Sequence, residues 1–248
     1  MQWADSGLVI GVRRHGEAGA VLELLTREHG RHLGLVHGGR SRRAQPVLQP
    51  GNTVHAVWRA RLDEQLGTYT VEAETLRAPR LIASRLALYG LATLSALLRA
   101  LAERDPHPAL FEEAEALADH LDDAGLAPLA FVHFELTLLA ELGFGLDLTA
   151  CAATGATSDL AWVSPRSARA VSRAAGEPYR GRLLRLPPFL VGEGTANRPS
   201  GEDLADAFAL TGHFLEAHAL GPRSLALPPE RARFVALCLD QARGLTNA

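Results

Sequence analysis

The sequence predicts an α+β chain in which a small five-stranded β-barrel precedes a run of helices. Three observations carry this. Residues 7–76 are short apolar or alternating runs rich in Val, Leu, Trp and Tyr, separated by turn residues. From about residue 80 the apolar spacing changes to the helical period. Residues 147–195 keep neither period for long, which marks them as a separate, irregular piece.

The strand candidates, in order, are "GLVIGV", "AVLELLT", "HLGLVHG", "TVHAVWRARL" and "GTYTVEAE". Between them lie "RRHGEAG", "REHG", "RSRRAQPVLQPGN" and "DEQ". In the fourth, Val54, Ala56, Trp58 and Ala60 alternate with His55, Val57, Arg59 and Arg61. One face is therefore core and the other carries two arginines. "PRLIASRLALYGLATLSALLRALAER" reads as one long helix stopped by "DPHP". Pro108 and Pro128 suit first turns and open "ALFEEAEALADHLDDAG" and "LAFVHFELTLLAELGFG", with Gly125 and Gly143 as terminators. Further helices are expected over "SGEDLADAFALTGHFLEAHAL" and "PPERARFVALCLDQARG", with short β pieces at "LAWVS" and "RLLRLP". The domains read as a barrel over 1–79, a helical domain over 80–146 and 196–248, and an insertion over 147–195.

With 248 residues, 47% hydrophobic and 21% charged, the chain can bury a core like that of an ordinary globular protein. The start "MQWADSGLVIGVRRHGE" lacks the basic and apolar regions of a secretory leader. The most apolar uncharged stretch, Leu86–Leu98, is too short and too polar to span a bilayer. Two cysteines, Cys151 and Cys238, make no disulfide framework, so a cytoplasmic protein with reduced thiols is expected.

Charge is uneven along the chain. Residues 1–85 hold twelve Arg against eight acids, residues 86–147 two against eleven, and residues 148–248 eleven against nine. A basic head is thus followed by an acidic middle, a pattern common where one end faces nucleic acid. Every basic residue is Arg; compositional bias explains this most simply, and it is not itself evidence of phosphate binding.

Catalytic signatures are missing. A nucleotide-binding P-loop needs a Lys, and the chain has none. No HExxH or GxSxG occurs, and "GFGLDL" at 143–148 lacks the third glycine of a dinucleotide fingerprint. His133 in its apolar helix reads as a packing or capping residue, and Cys238 in "FVALCL" as core. The acids of "EEAEALADHLDD" read as a solvated helix face. Neither an enzyme nor a cofactor is expected.

The stretch "LVHGGRSRRAQPVLQPG", residues 35–51, stands apart. Gly38 and Gly39 would let backbone amides approach a ligand closely. Arg40, Arg42 and Arg43 follow at once and can neutralise phosphates without reading bases. On its own this could be an ordinary basic surface loop. Arg13 and Arg14 after the first strand, Arg31 after the second turn, and Arg59 and Arg61 on the fourth strand favour a nucleic-acid platform. Aromatics are scarce here (Trp3, Trp58, Tyr69), so backbone electrostatics should outweigh stacking.

The stretch from "GLVIGVRRHGEAG" to "LQPGN" closely resembles the start of the RecO family of bacterial recombination mediators. The matching residues are Gly16-Glu17, Thr26, Gly30-Arg31, Gly38-Gly39-Arg40-Ser41 and Leu48-Gln49-Pro50-Gly51. The likeness continues through "WRARLDEQLGTYTVE", "LLAELGFGLDLTAC" and "WVSPRSARAVS". It implies an N-terminal OB-fold barrel, a helical domain and an inserted zinc-finger-like module. It also implies binding of single- and double-stranded DNA and annealing of complementary strands. Recombinase would be loaded onto strands coated by single-strand-binding protein, together with a RecR-type partner in the RecF pathway, in the cytoplasm at the nucleoid.

One departure concerns metal. Some members carry two CxxC pairs that hold zinc; here Cys151 matches the first position, but Thr154 stands at the second. The other pair would fall in "GEPYRGRLLRLP", which has neither Cys nor His. One thiolate cannot build a tetrahedral site. A metal-free, degenerate finger held by packing around Trp162, Tyr179 and Leu184 is expected. The acidic helices would repel DNA, keeping its path on the barrel and on Arg166, Arg169 and Arg173. Grooves between helices would suit the acidic-aromatic C-terminal tail of single-strand-binding protein, with an Arg taking its carboxylate. The alternative is a protein-interaction adaptor whose basic face binds acidic partner tails, DNA contact being incidental.

Overall fold

All five predicted strands form, and the computed structural model describes them within residues 1–62, 64–192 and 199–246. By its contacts the chain divides into two units, Met1–Asp123 and Ala124–Ala248.

In the first unit, β1 (Gln2–His15), β2 (Gly19–Thr26), β3 (Gly30–Val36), β4 (Thr53–Arg59) and β5 (Thr68–Thr75) close a barrel in the order β1-β2-β3-β5-β4. This is the Greek-key connectivity of an OB fold. The first half of β1 pairs with β4, from Gln2↔Arg59 to Leu8↔Thr53, and the second half with β2, as far as His15↔Gly19. An irregularity between Val9 and Gly11 lets one strand serve both sides. Leu35↔Thr68 joins β3 to β5 in parallel and shuts the barrel. Alternate residues fill it: Leu22 and Leu24, Val54, Ala56 and Trp58, and Tyr69. Leu48, from the β3–β4 loop, is buried with them. Each buried Leu or Val among them contributes roughly 1.5–3 kcal/mol.

The long helix expected over 79–104 is broken. A short α1 (Ala78–Ile82) is followed by α2 (Arg85–Leu98). Ser84 lies between them with extended backbone, and its hydroxyl accepts from the Ala87 amide, so it is an N-cap. α3 (Pro108–His120) starts at Pro108 as expected but ends ahead of Gly125, which lies in a later turn. Nor is the acidic face of α3 simply solvated. Glu112 pairs with Arg27, Asp119 with Arg77, and Asp122, just past the helix end, with Arg80, while Glu115 accepts from Thr53 and Arg77. These bonds reach back to the barrel and its exit. The change of period near residue 80 thus marks where strands give way to helices, while the contacts part after α3.

The second unit holds α4 (Ala127–Glu141), β6 (Leu160–Val163), β7 (Ala170–Ser172), α5 (Arg173–Gly176), β8 (Leu184–Arg185), α6 (Gly201–Phe214) and α7 (Pro229–Thr246). Pro128 lies in the first turn of α4, and Gly143 follows its end with φ +87°. The three strands form a sheet in the order β7-β6-β8, of which β7 escaped the sequence reading. Ser200 and Asp203 form a capping box that opens α6, and a π-helical turn, Leu215–Leu220, extends it. Glu135 of α4 is fully buried against Arg231 of α7, Oε1 to Nε 2.6 Å and Oε2 to Nη2 2.8 Å, and Thr211 also donates to it. His133, expected to pack or cap, is exposed on α4, whereas Cys238 is buried as expected and its thiol is pushed up to about 12 by that burial. In the insertion Trp162 is buried and Leu184 half-buried, but Tyr179 stands 59% exposed and takes no part in holding the module. The expected boundary at 195/196 lies outside the described residues. Among the described residues no helix is long and apolar enough to cross a membrane.

Candidate nucleic-acid interface

Register brings the basic loop beside the tip of the first hairpin. Arg14 faces Ala20 across β1–β2, and Ala20 faces Val36 across β2–β3, so the loop after Val36 begins next to residues 16–18. The Arg40 amide donates to Ala18 O at 3.1 Å and its guanidinium to Glu17 O, fastening the two loops together. A cleft of about 510 Å³ opens there, lined by Val12, Arg14, Glu17, Gly38, Gly39 and Arg40 among others.

The two glycines serve the turn. Gly38 has φ +65°, which disfavours any side chain, although a Cβ there would meet nothing. At Gly39 a Cβ would come 2.8 Å from the Cβ of Ala20, so this residue lets the loop lie against β2. The amides of Gly39, Arg40 and Ser41 donate to Val36, Ala18 and Gly38 carbonyls. The loop therefore offers guanidinium groups to a ligand, not these backbone amides.

The ten residues named from the sequence separate by their partners. Arg13, Arg14, Arg42, Arg43 and Arg61 are exposed and have no hydrogen bond or ion pair to any described residue. Arg40 keeps its exposure beside the cleft, and Arg59 donates to Gln2 Oε1 at 2.9 Å. Arg31 is withdrawn. Its side chain is 15% exposed, bound to Glu23 at 2.7 Å and to Leu101 O at 3.1 Å.

Arg59 and Arg13 lie in one outward row. Cross-strand partners share a face, and the register runs Arg13↔Val21, Val21↔Leu35, Leu35↔Thr68 and Thr68↔Arg59. Four strand spacings make this row on the order of 20 Å long. Alternation along single strands could not reveal it.

OB barrels commonly present the outer face of β2–β3 to single strands. Here the segment after α2 lies along part of that face. Arg99 binds Glu23 Oε2 and Ile10 O, each at 2.8 Å, and Arg104 N donates to Arg31 O at 2.9 Å. Arg104 Nη2 also reaches Gln65 O. Val21 and Leu35, next to the hairpin tip and the arginine loop, are half-buried. Of the barrel's aromatics, Trp58 and Tyr69 are buried, and Trp3 is stacked on His29 at 4.0 Å, so none lies on this basic surface.

In the second unit Arg169 pairs with Asp147 and Arg173 with Asp159, leaving Arg166 exposed and unpaired among the described residues. The insertion does not fit a zinc ion. Cys151 Sγ is hydrogen-bonded by Ser172 and Thr154, which, against the opposing effect of burial, hold its thiol down to about 6. Among the described residues no three His, Cys, Asp or Glu side chains gather as metal ligands.

Residues 1–78 match the family model for the recombination protein O N terminus, and residues 83–226 that for its C terminus. The chain is 63% identical over 247 residues to the DNA repair protein RecO of a Methylorubrum extorquens strain, covering 98% of this chain and all of that one. It is 62% identical over 240 residues to RecO of Methylobacterium nodulans, covering 96% and 98% of the two chains. RecO of Bradyrhizobium diazoefficiens is 57% identical over 249 residues, with both chains covered in full.

Proposed function

This chain belongs to the RecO family, and from that premise we propose that it is a DNA-repair protein that binds DNA backbones through the arginine loop and hairpin tip of its OB barrel. The observation that carries the reading is the grouping of Arg13, Arg14, Arg42 and Arg43, exposed and without partners among the described residues, beside the cleft of Arg40. Elsewhere most of the described arginines are engaged by acids or carbonyls of the chain itself. A guanidinium with no internal acceptor is free to take a phosphate in fork geometry.

Such a surface works without a catalytic step. Neutralised phosphates repel each other less, so two complementary strands can be held close enough to pair. Arg14, Arg40 and their neighbours would hold the strand. The row through Val21, Leu35 and Thr68 would carry it toward Arg59 and Arg61, and Glu72 and Glu74 on the outer side of β5 would bound the path. On the same reading the protein acts in the cytoplasm at the nucleoid, as a recombination mediator. It would work with a RecR-type partner, engage the acidic tail of single-strand-binding protein, and assist recombinase only indirectly.

The experiment is binding of a labelled single-stranded oligonucleotide across a salt series. The reading requires saturable binding at low salt that weakens steeply and alike for unrelated sequences. Lack of binding at low salt would contradict it.

A further inference from the structure

We propose that Tyr179 and Arg182 form a second contact for single-stranded DNA, in which an unpaired base stacks on the tyrosine ring and the guanidinium takes the neighbouring phosphate. This rests on the DNA-binding reading above. Between Ser164 and Arg185 stand six arginines and a single acid, Glu177. Three of the six are matched to acids outside that stretch, Arg169 to Asp147, Arg173 to Asp159 and Arg185 to Asp206. Glu177 itself is bound by Arg180 at 3.1 Å. Arg182 has no polar partner among the described residues.

Tyr179 lies beside it, on the 3₁₀ turn Glu177–Arg182 whose path Pro178 restricts. Tyr179 is 59% exposed in a module whose other large aromatics are buried (Trp162) or half-buried (Phe189). Pro178, Tyr179, Gly181 and Arg182 line an open cleft of about 400 Å³, and a Cβ at Gly181 would meet nothing within 4 Å, so the approach is clear. An exposed aromatic face next to an uncommitted guanidinium is the pairing that binds single strands irrespective of sequence. Paired bases have their faces covered by neighbours, so the contact discriminates against duplex. The basic barrel surface lacks such a ring, and the two sites would divide the work: phosphates on the barrel, an unstacked base here.

The test uses the full chain with Tyr179→Ala, Tyr179→Phe and Arg182→Ala variants, a labelled oligothymidylate, and a duplex of the same length. Tyr179→Ala should weaken single-strand binding about five- to tenfold, that is about 1.0–1.4 kcal/mol, through loss of one stacked base, and leave duplex binding unchanged. Tyr179→Phe should keep the wild-type affinity. Arg182→Ala should weaken both substrates and lower the salt slope by about one. An iodouracil-substituted strand should crosslink to Tyr179. Unchanged single-strand affinity in Tyr179→Ala, or an equal loss on both substrates, overturns this inference while the barrel site stands. Lack of binding by the wild-type chain would overturn the barrel reading as well. The residue is exposed, so an unchanged melting temperature will show that the variants fold.

Discussion

Arg77 Nε donates to Asp119 Oδ1 across 2.5 Å, joining the exit of the barrel to α3. The same guanidinium reaches Thr53 Oγ1 at 2.6 Å and Glu115 at 3.4 Å, and its side chain is only 6% exposed. Removing it leaves Thr53 and two acids without their shared donor. Arg77→Ala should cost about 2–4 kcal/mol, below the fully buried case because Asp119 is half-exposed. The hydrogen bond from Arg77 holds the Asp119 carboxyl below the usual range. A depressed carboxylate contributes stability above its unfolded pKa and loses it as pH falls through the folded one. The difference between wild type and Arg77→Ala in denaturant unfolding should therefore shrink under about pH 4.

Arg31 and Arg43 should behave as opposites. Arg31→Ala is expected to lower stability by about 1–3 kcal/mol, since it ties Glu23 to the segment after α2. It should leave the salt slope of DNA binding as it is. Arg43→Ala should leave the melting temperature unchanged and flatten that slope by about 0.7 on a single strand. Paired melts and salt titrations on the two variants decide this, and a reversed outcome would move the interface.

The buried pair in the helical unit has its own signature. Glu135→Ala strands Arg231 in the core and should cost about 3–5 kcal/mol. The double change Glu135→Leu with Arg231→Met should cost much less than the two single changes together, because neither charge is left unmatched. Urea unfolding of the four proteins measures the coupling.

The barrel was legible because its signal is local: alternation within each strand, and turn residues between them, located all five. The helix break at Ser84 was not, since a serine inside an apolar run looks tolerable until its hydroxyl is seen capping Ala87. Ion pairs were the larger blind spot. Glu135 and Arg231 lie 96 residues apart, and the acids of α3 find partners on the barrel and α1, so counting them as solvated charge overstated their exposure. For the same reason Arg31 could not be told from Arg43 in the sequence. The basic loop was found from its composition, but its glycines serve φ at Gly38 and packing at Gly39. The aromatic character of Tyr179 alone suggests a small core, but on the 3₁₀ turn Glu177–Arg182 it stands exposed, and so short a turn has no periodicity to read.

Metal content tests the insertion. With Cys151 the single cysteine of the insertion and no ligand cluster among the described residues, purified protein should contain no stoichiometric zinc, and a chelator should not shift its melting temperature. One zinc per chain by elemental analysis would refute this.

Exposed arginines at one end of the barrel, on the reading proposed above, bind DNA backbones. The most direct measurement is the salt dependence of oligonucleotide affinity for wild type and for the triple variant Arg40→Ala, Arg42→Ala, Arg43→Ala. Each lost phosphate contact should remove about 0.7 from the slope of log K against log salt for a single strand. The expected result is a slope lower by roughly two and uniformly weaker binding on unrelated sequences, with a melting temperature lowered only slightly by loss of the Arg40 bond to Glu17 O. Wild-type affinity and slope in the triple variant would contradict it.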